Sequence, residues 1–339
     1  VTRGTILVTG AAGYIGSVLT PKLLDAGYRV RAVDRFFFGP TLPEREGLDL
    51  VRDDIRWMSP SNVDGVDAVI DLAALSNDPA GEMDPDKTWE INHAGRVRVA
   101  HLAKEAGVKR YILPSSCSIY GIQEGLVDER SPVNPLTTYA KANLEAERDI
   151  LPLNDDDFTV VILRQATVYG LSPRMRFDLA INGMTKGMYQ DGRIPILRDG
   201  TQWRPFVHVQ DTTKAMLLCL EADKETVSGQ IFNVGADEQN VQVLPLAETV
   251  ADALEVPFEF DWYGSPDHRS YRVSFAKIKK TLGFEVDHSP GDGAREIHAA
   301  MRSGEADPSD PRTITVDWYR RLTEDRDLQE SVAINGKFL

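Results

Sequence analysis

The apolar run Thr5–Thr9 passes directly into Gly10-Ala11-Ala12-Gly13-Tyr14-Ile15-Gly16, and helical periodicity then covers 14–26 until Gly27 stops it. This junction constrains the fold more than any other feature of the chain. Three glycines between a strand and a helix allow a tight turn and a close approach to the backbone. They also aim the free N–H groups and positive dipole of the helix N-terminus at an anion such as a pyrophosphate. A second strand, Arg29–Asp34, ends in Asp34, 18 residues past Gly16. At that spacing an acid hydrogen-bonds both ribose hydroxyls of an adenosine. Its charge repels a 2′-phosphate, so NAD is the expected cofactor; Arg35 beside it keeps NADP as the lesser alternative.

The first half continues as an alternation of short apolar strands and longer helical stretches. Strands are expected at 66–72, 110–114 and 158–164, with helices over 87–106 and Thr138–Ile150. Continuous apolar strands alternating with helices mark a parallel sheet covered on both faces. The expected class is α/β: a Rossmann-type doubly wound parallel sheet with a smaller C-terminal α+β substrate lobe. After about residue 170 glycine and proline become frequent and the pattern loosens. The expected division is a cofactor-binding domain over 1–170, with strands from about 206–235 returning to it. A substrate lobe then takes 171–205 and 236–323, and a polar, mobile tail takes 324–339.

Composition excludes several other classes. The chain of 339 residues carries 38 Lys and Arg against 52 Asp and Glu, a net charge of −14. It lacks the basic footprint of a nucleic-acid binder. Two cysteines a hundred residues apart make neither a disulfide framework nor a zinc site, and the six histidines show no metal-ligand spacing. No metal is expected. No run approaches the roughly 20 apolar residues of a membrane span, and the N-terminus shows no signal-peptide pattern. A cytoplasmic protein with no membrane partner is the expectation.

Further motifs accompany the glycine loop. Asp54-Ile55 follows a third strand candidate, and Leu72-Ala73-Ala74 ends a fourth. Asn92, Ser115-Ser116 ahead of Tyr120-Gly121, and Tyr139 at the start of a helix complete the set. Together they resemble the extended short-chain dehydrogenase/reductase family, within it the nucleotide-sugar epimerases and dehydratases, and most nearly the UDP-glucose 4-epimerase-like branch. The resemblance runs over residues 4 to 322. It implies that Gly10, Gly13, Tyr14, Ile15 and Gly16 hold the pyrophosphate and that Asp54 and Ile55 flank the adenine. Leu72, Ala73, Ala74 and Asn92 would lie on the nicotinamide side, with Ser115, Gln165 and Ala166 in the same cofactor set. Ser116 and Tyr139 would be catalytic. A homodimer through the helices near 87–106 and Thr138–Ile150 is also implied.

The chemistry is intelligible from the residues themselves. A sugar hydroxyl must lose a proton while its carbon loses hydride; a phenolate can take that proton and a serine hydroxyl can orient the oxygen. A free phenol titrates near 10, so it needs positive charge nearby to act at neutral pH. Here the chain departs from the family pattern. Tyr139-Ala140-Lys141-Ala142-Asn143 has asparagine where the family has lysine. Asn143 shares the face of Tyr139, whereas Lys141 lies about 200° around the helix. A cation about 5 Å away at an effective dielectric near 20 is worth roughly 3 kcal/mol, or about two pK units. Without it Tyr139 should be less acidic. The expectations are an active enzyme with a raised pH optimum, with Asn143 still in the catalytic and cofactor set, or a cofactor-loaded binding or regulatory protein that turns over poorly.

The residues after Ser116 narrow the reaction. Family 4,6-dehydratases carry an Asp-Glu pair there and decarboxylases a Glu, but this chain has Cys117 and Ser118. The 3,5-epimerases place a cysteine one residue later than Cys117, which reads as a small packed residue beside the substrate. What remains is 4-epimerisation of a nucleotide-diphosphate sugar, with NAD(P)H-dependent reduction of a 4-keto sugar as the alternative. The substrate set is Ser76, Cys117, Ser118, Thr167 (where the family has asparagine), Arg174, Arg176, Arg204 and Arg269. Arg204 and Arg269 are the leading diphosphate candidates, because a guanidinium fits a phosphate bidentately. His208 reads as a satisfied core residue.

Overall fold

The protein, seen in a computed structural model, is described over residues 3–338. Seven parallel strands form the central sheet. In spatial order they are Gln230–Val234, Thr159–Gln165, Arg110–Ser116, Ala68–Asp71, Thr5–Thr9, Arg29–Asp34 and Leu48–Arg52. The order reverses between Thr5–Thr9 and Ala68–Asp71, which pair in register at Thr9 and Asp71. Such a reversal leaves a crevice beyond the carboxyl ends of the strands.

Side-chain alternation along each strand builds two cores. Ile6 and Val8 face the helices Gly16–Asp25 and Val209–Glu221 through Leu19, Leu23, Ala215 and Met216. Leu7 faces the opposite layer, where Val99, Ala100 and Ala103 meet Ala146 and Ile150. Burial on both faces is why these strands read as unbroken apolar runs. The fold is the Rossmann-type doubly wound sheet.

The chain leaves the sheet after Gln165 and builds the second lobe. Its core joins helices Ala180–Asp191, Val243–Ala253 and Pro290–Ser303 through Ile181, Met184, Leu246, Val250 and Ala294. Among the described residues no helix is long and apolar enough to cross a membrane.

Three expectations are corrected. Gln230–Val234 returns to the edge of the main sheet, but Trp203–His208 does not. It lies parallel to Thr167–Tyr169 and antiparallel to Asn240–Gln242, because the chain leaves the main sheet after Ala166, whose N–H still bonds Val234 O. The stretch 87–106 is not one α-helix: Glu90–Gly95 is a π-helical turn between Pro85–Trp89 and Arg96–Glu105. The C-terminal segment is no free tail. Arg326–Val332 packs back on the end of the second strand, where Arg35 donates to the carbonyls of Val332 and Lys337 and Phe37 meets Phe338 edge-on.

Candidate active site

A cleft of about 890 Å³ opens beyond the carboxyl ends of the strands and reaches the second lobe. Gly10 sits at φ +62°, and a Cβ there would lie 2.8 Å from Ala73 N. A Cβ at Gly16 would run into the carbonyl oxygens of Gly10 and Ala11. The loop therefore packs on itself and on the fourth strand only because these two residues lack side chains. The helix it opens has no side-chain cap at its N-terminus, which leaves its N–H groups for an anion. Tyr14 ties the loop to the second lobe: its hydroxyl donates to Gly170 O and accepts from Asn182.

Asp34 closes the other side of the loop. Its two oxygens accept the N–H groups of Ala12 at 2.9 Å and Phe36 at 2.7 Å, and each retains a further lone pair toward the cleft. Arg35 is buried and committed, donating to Asp54 and to the two C-terminal carbonyls. Asp54 also takes the fork of Arg56. Burial opposes its ionisation, but Arg56 and Arg35 outweigh it and hold the carboxyl below the usual range. Arg174 is 5% exposed, stacks over Phe38 at 3.6 Å and donates to Thr315, yet its Nη1 has no partner among the described residues. Burial, then the neighbouring Arg176, lower it to about 10. A glycine cradle, an uncapped helix end, a carboxylate bonded to the loop at Ala12 and an unpaired guanidinium N–H fit a dinucleotide's phosphates and ribose.

Deeper in the cleft Ser116 and Tyr139 come together. Ser116 ends its strand and its hydroxyl accepts Ser118 N–H at 3.1 Å. Tyr139 is half-buried on the first turn of Thr138–Ile150, a helix capped by Thr137. Burial and then Asp78 push its phenol above the ordinary 10, while Arg96, Ser116 and Arg176 pull the other way. Gln165, Ala166 and the loop Leu72, Ala73, Ala74 complete this region.

Almost every sequence-derived candidate lines this cleft. Gly13, Ile15, Ile55, Ser115, Ser76, Ser118, Thr167, Arg176, Arg204 and Arg269 are all among its walls. Asn92, Cys117 and Asn143 are not. Asn92 is fully buried and grips the backbone of Leu75 from both ends of its amide, holding the Leu72–Ala74 loop from behind. Cys117 points inward to Arg164 O, and burial pushes its thiol up. Asn143, 1% exposed, turns its amide back: Oδ1 accepts Arg96 Nη1 at 2.8 Å and Nδ2 donates to Tyr139 O at 2.9 Å. An asparagine is too short to reach past the tyrosine into the cleft.

Three of the second-lobe arginines are paired with acids. Asp178 takes Arg176 bidentately, and Arg176 also donates to Ser76. Asp267 holds both Arg204 and Arg269, and Arg269 bridges to Asp78 across the cleft. His208 is a satisfied core residue, with Glu296 at Nε2 and Gln210 N–H at Nδ1. Sequence reasoning missed Asp78, Asp178 and Arg96. Arg96 had a signal: it falls on the stripe Arg96, Val99, Ala100, Ala103, which the structure buries, and a charge on an apolar stripe calls for a partner.

Comparison with known proteins agrees with this geometry. The chain is 31% identical over 319 residues to the uncharacterised UDP-glucose epimerase YtcB of Bacillus subtilis (strain 168), covering 88% of this chain and 98% of that one. The structure of MoeE5 in complex with UDP-glucuronic acid and NAD superposes with a TM-score of 0.80 at 29% identity, over 88% of this chain and all of that one. UDP-glucuronic acid 4-epimerase from Bacillus cereus, in complex with UDP-glucuronic acid and NAD, gives 0.79 at 26%, over 88% and 99%. The family model for NAD-dependent epimerases and dehydratases matches residues 6–235, more than half of the sequence, and the chain belongs to the NAD-dependent epimerase/dehydratase family of enzymes.

Proposed function

We propose that the protein is a nucleotide-sugar 4-epimerase that keeps its NAD bound and acts on a UDP-hexose. The observation that carries this reading is the convergence of Ser116 and Tyr139 in one cleft with the glycine cradle. The same cleft has no carboxylic acid directly after Ser116. Tyr139 takes the proton of the sugar O4 and returns it from the same place, and Ser116 orients that oxygen. When bound, the nicotinamide supplies the acceptor and later the donor of the hydride. Gly10, Gly13, Gly16 and Arg174 would hold its phosphates and Asp34 its adenosine ribose. Arg35, committed to Asp54, is not free for a 2′-phosphate, which favours NAD over NADP. Support for uridine nucleotides comes from the relatives, named for or crystallised with UDP-glucose and UDP-glucuronic acid.

The test is what the purified protein releases on denaturation, followed by a panel of UDP-, dTDP-, GDP- and CDP-sugars. Stoichiometric NAD and interconversion of a 4-epimer pair without added cofactor is the expected result. Turnover only with added NAD(P)H and a keto sugar would make it a reductase instead.

A pH prediction follows from the Tyr139 surroundings. Burial and Asp78 raise its phenol, and the phenolate is the active base, so turnover should climb as pH rises above neutral. Asp78→Asn removes the negative charge and leaves Arg269 to Asp267 alone, so the rising limb should move down by about half to one pH unit. A pH–rate series on both forms checks this; a limb that moves up contradicts the phenolate base.

A further inference from the structure

We propose that Arg96 is a positioning residue for Tyr139: a buried guanidinium behind the helix that stabilises the charged form of the phenol and holds the tyrosine's turn in place through Asn143. The proposal rests on Tyr139 being the base of the reading above.

The charged groups around Tyr139 can be taken element by element. On its own helix, Lys141 and Arg148 are exposed, Glu145 pairs with Arg148, Asp149 with His93, and buried Glu147 with Arg164. The short helix Asp78–Gly81 offers Asp78, which already holds Thr137 and Arg269. Glu82, just beyond it, accepts Thr138 N–H. From the second lobe comes Arg176, whose fork is filled by Asp178. The strand end offers only the hydroxyl of Ser116. Helix Arg96–Glu105 brings Arg96.

Arg176 and Arg269 are thus matched by carboxylates in direct hydrogen bonds. Arg96 is different. Its nearest carboxylate, Asp71, stands 3.8 Å from Nε, which makes no hydrogen bond, and the Asp71 oxygens are occupied by the hydroxyls of Thr9 and Tyr111. Its Nη groups bond the main-chain carbonyls of Asp71 and Pro114, at the ends of two central strands, and Asn143 Oδ1. The other end of the Asn143 amide grips Tyr139 O. At 2% exposure no solvent screens this charge. In place of a cation at residue 143, the chain thus sets one from a neighbouring helix, 47 residues earlier, against the residue-143 side chain.

The decisive readout is the ionisation of Tyr139, followed by ultraviolet difference titration of the purified protein with Tyr139→Phe as the subtracted reference. Arg96→Met should raise the midpoint by about one to two pH units. Arg96→Lys should keep most of the original midpoint, and Asn143→Lys in the Arg96→Met background should restore it. Asp71→Asn, which strips Arg96 of its counter-ion, should move the midpoint the opposite way, downward. A purely structural role for Arg96 would not give shifts of opposite sign. If Arg96→Met does not fold, Asp71→Asn and Asn143→Asp carry the test, the latter with an upward shift. Midpoints unmoved in the folded variants overturn the proposal. The titration needs no sugar, so it stands or fails independently of whether the protein epimerises a UDP-hexose.

Discussion

Tyr139→Phe is expected to lower turnover about 10³-fold while the protein stays folded and retains its bound dinucleotide. The substitution deletes one oxygen from a half-buried ring and leaves the helix around it intact, with its Thr137 cap and its contacts to Asp78–Gly81. In the proposed mechanism the oxygen removed is the one that takes the proton of the sugar hydroxyl, an interaction that matters in the transition state. kcat and kcat/KM should therefore fall together, with KM little changed. Ser116→Ala should cost less, because a hydroxyl that orients the reacting oxygen is easier to replace by water than the base itself. Steady-state rates on both variants, with the released nucleotide measured in parallel, check this. A Tyr139→Phe protein that keeps more than about a tenth of the rate would remove the phenol from the chemistry.

Glu147→Ala should destabilise the protein by about 3–5 kcal/mol, because it leaves the buried guanidinium of Arg164 without a counter-charge. The two side chains are 3% and 7% exposed, and Arg164 meets both Glu147 oxygens through Nε and Nη2. Glu147 also accepts the Ser115 hydroxyl at 2.5 Å, and Arg164 donates to Tyr120. This pair therefore fastens the helix of Tyr139 to the strands that carry Ser115, Ser116 and Gln165. The double variant Glu147→Leu/Arg164→Met should lose far less stability than the single one, since removing both charges also removes their desolvation cost. Urea unfolding of the three forms measures it. A single variant within about 1 kcal/mol of the parent would mean that water reaches the pair.

The parts of the site that were legible in the sequence are those fixed by backbone geometry. The glycine spacing and Asp34 at the end of the second strand follow from strand–helix alternation and short spacings, whereas Ser116 and Tyr139 were legible only through the family resemblance, which sets them at a strand end and on the first turn of a helix. The parts that were not legible depend on partners distant in sequence. Asn143 reads as a degraded lysine until Arg96 is seen beside it. Asn92 reads as a cofactor contact until its amide is found on Leu75. The second-lobe arginines read as free phosphate ligands, whereas Asp78, Asp178 and Asp267 already hold three of them. The strand Trp203–His208 has the apolar pattern of a main-sheet strand, and local pattern does not say which edge a strand joins. The C-terminal segment reads as polar because most of it is; its docking rests on a few contacts, from Arg35 and Phe37, that periodicity does not reveal.

The most direct test of the central claim follows the hydride. The purified protein, with no nucleotide added, is given UDP-glucose carrying deuterium at C4 of the sugar, and the products are read by NMR and mass spectrometry. If the protein is a self-contained 4-epimerase, UDP-galactose appears with the deuterium still at C4, because the hydride leaves and returns within one closed site. No 4-epimer from this or any other labelled UDP-hexose, or a product that has lost its label, would contradict the account.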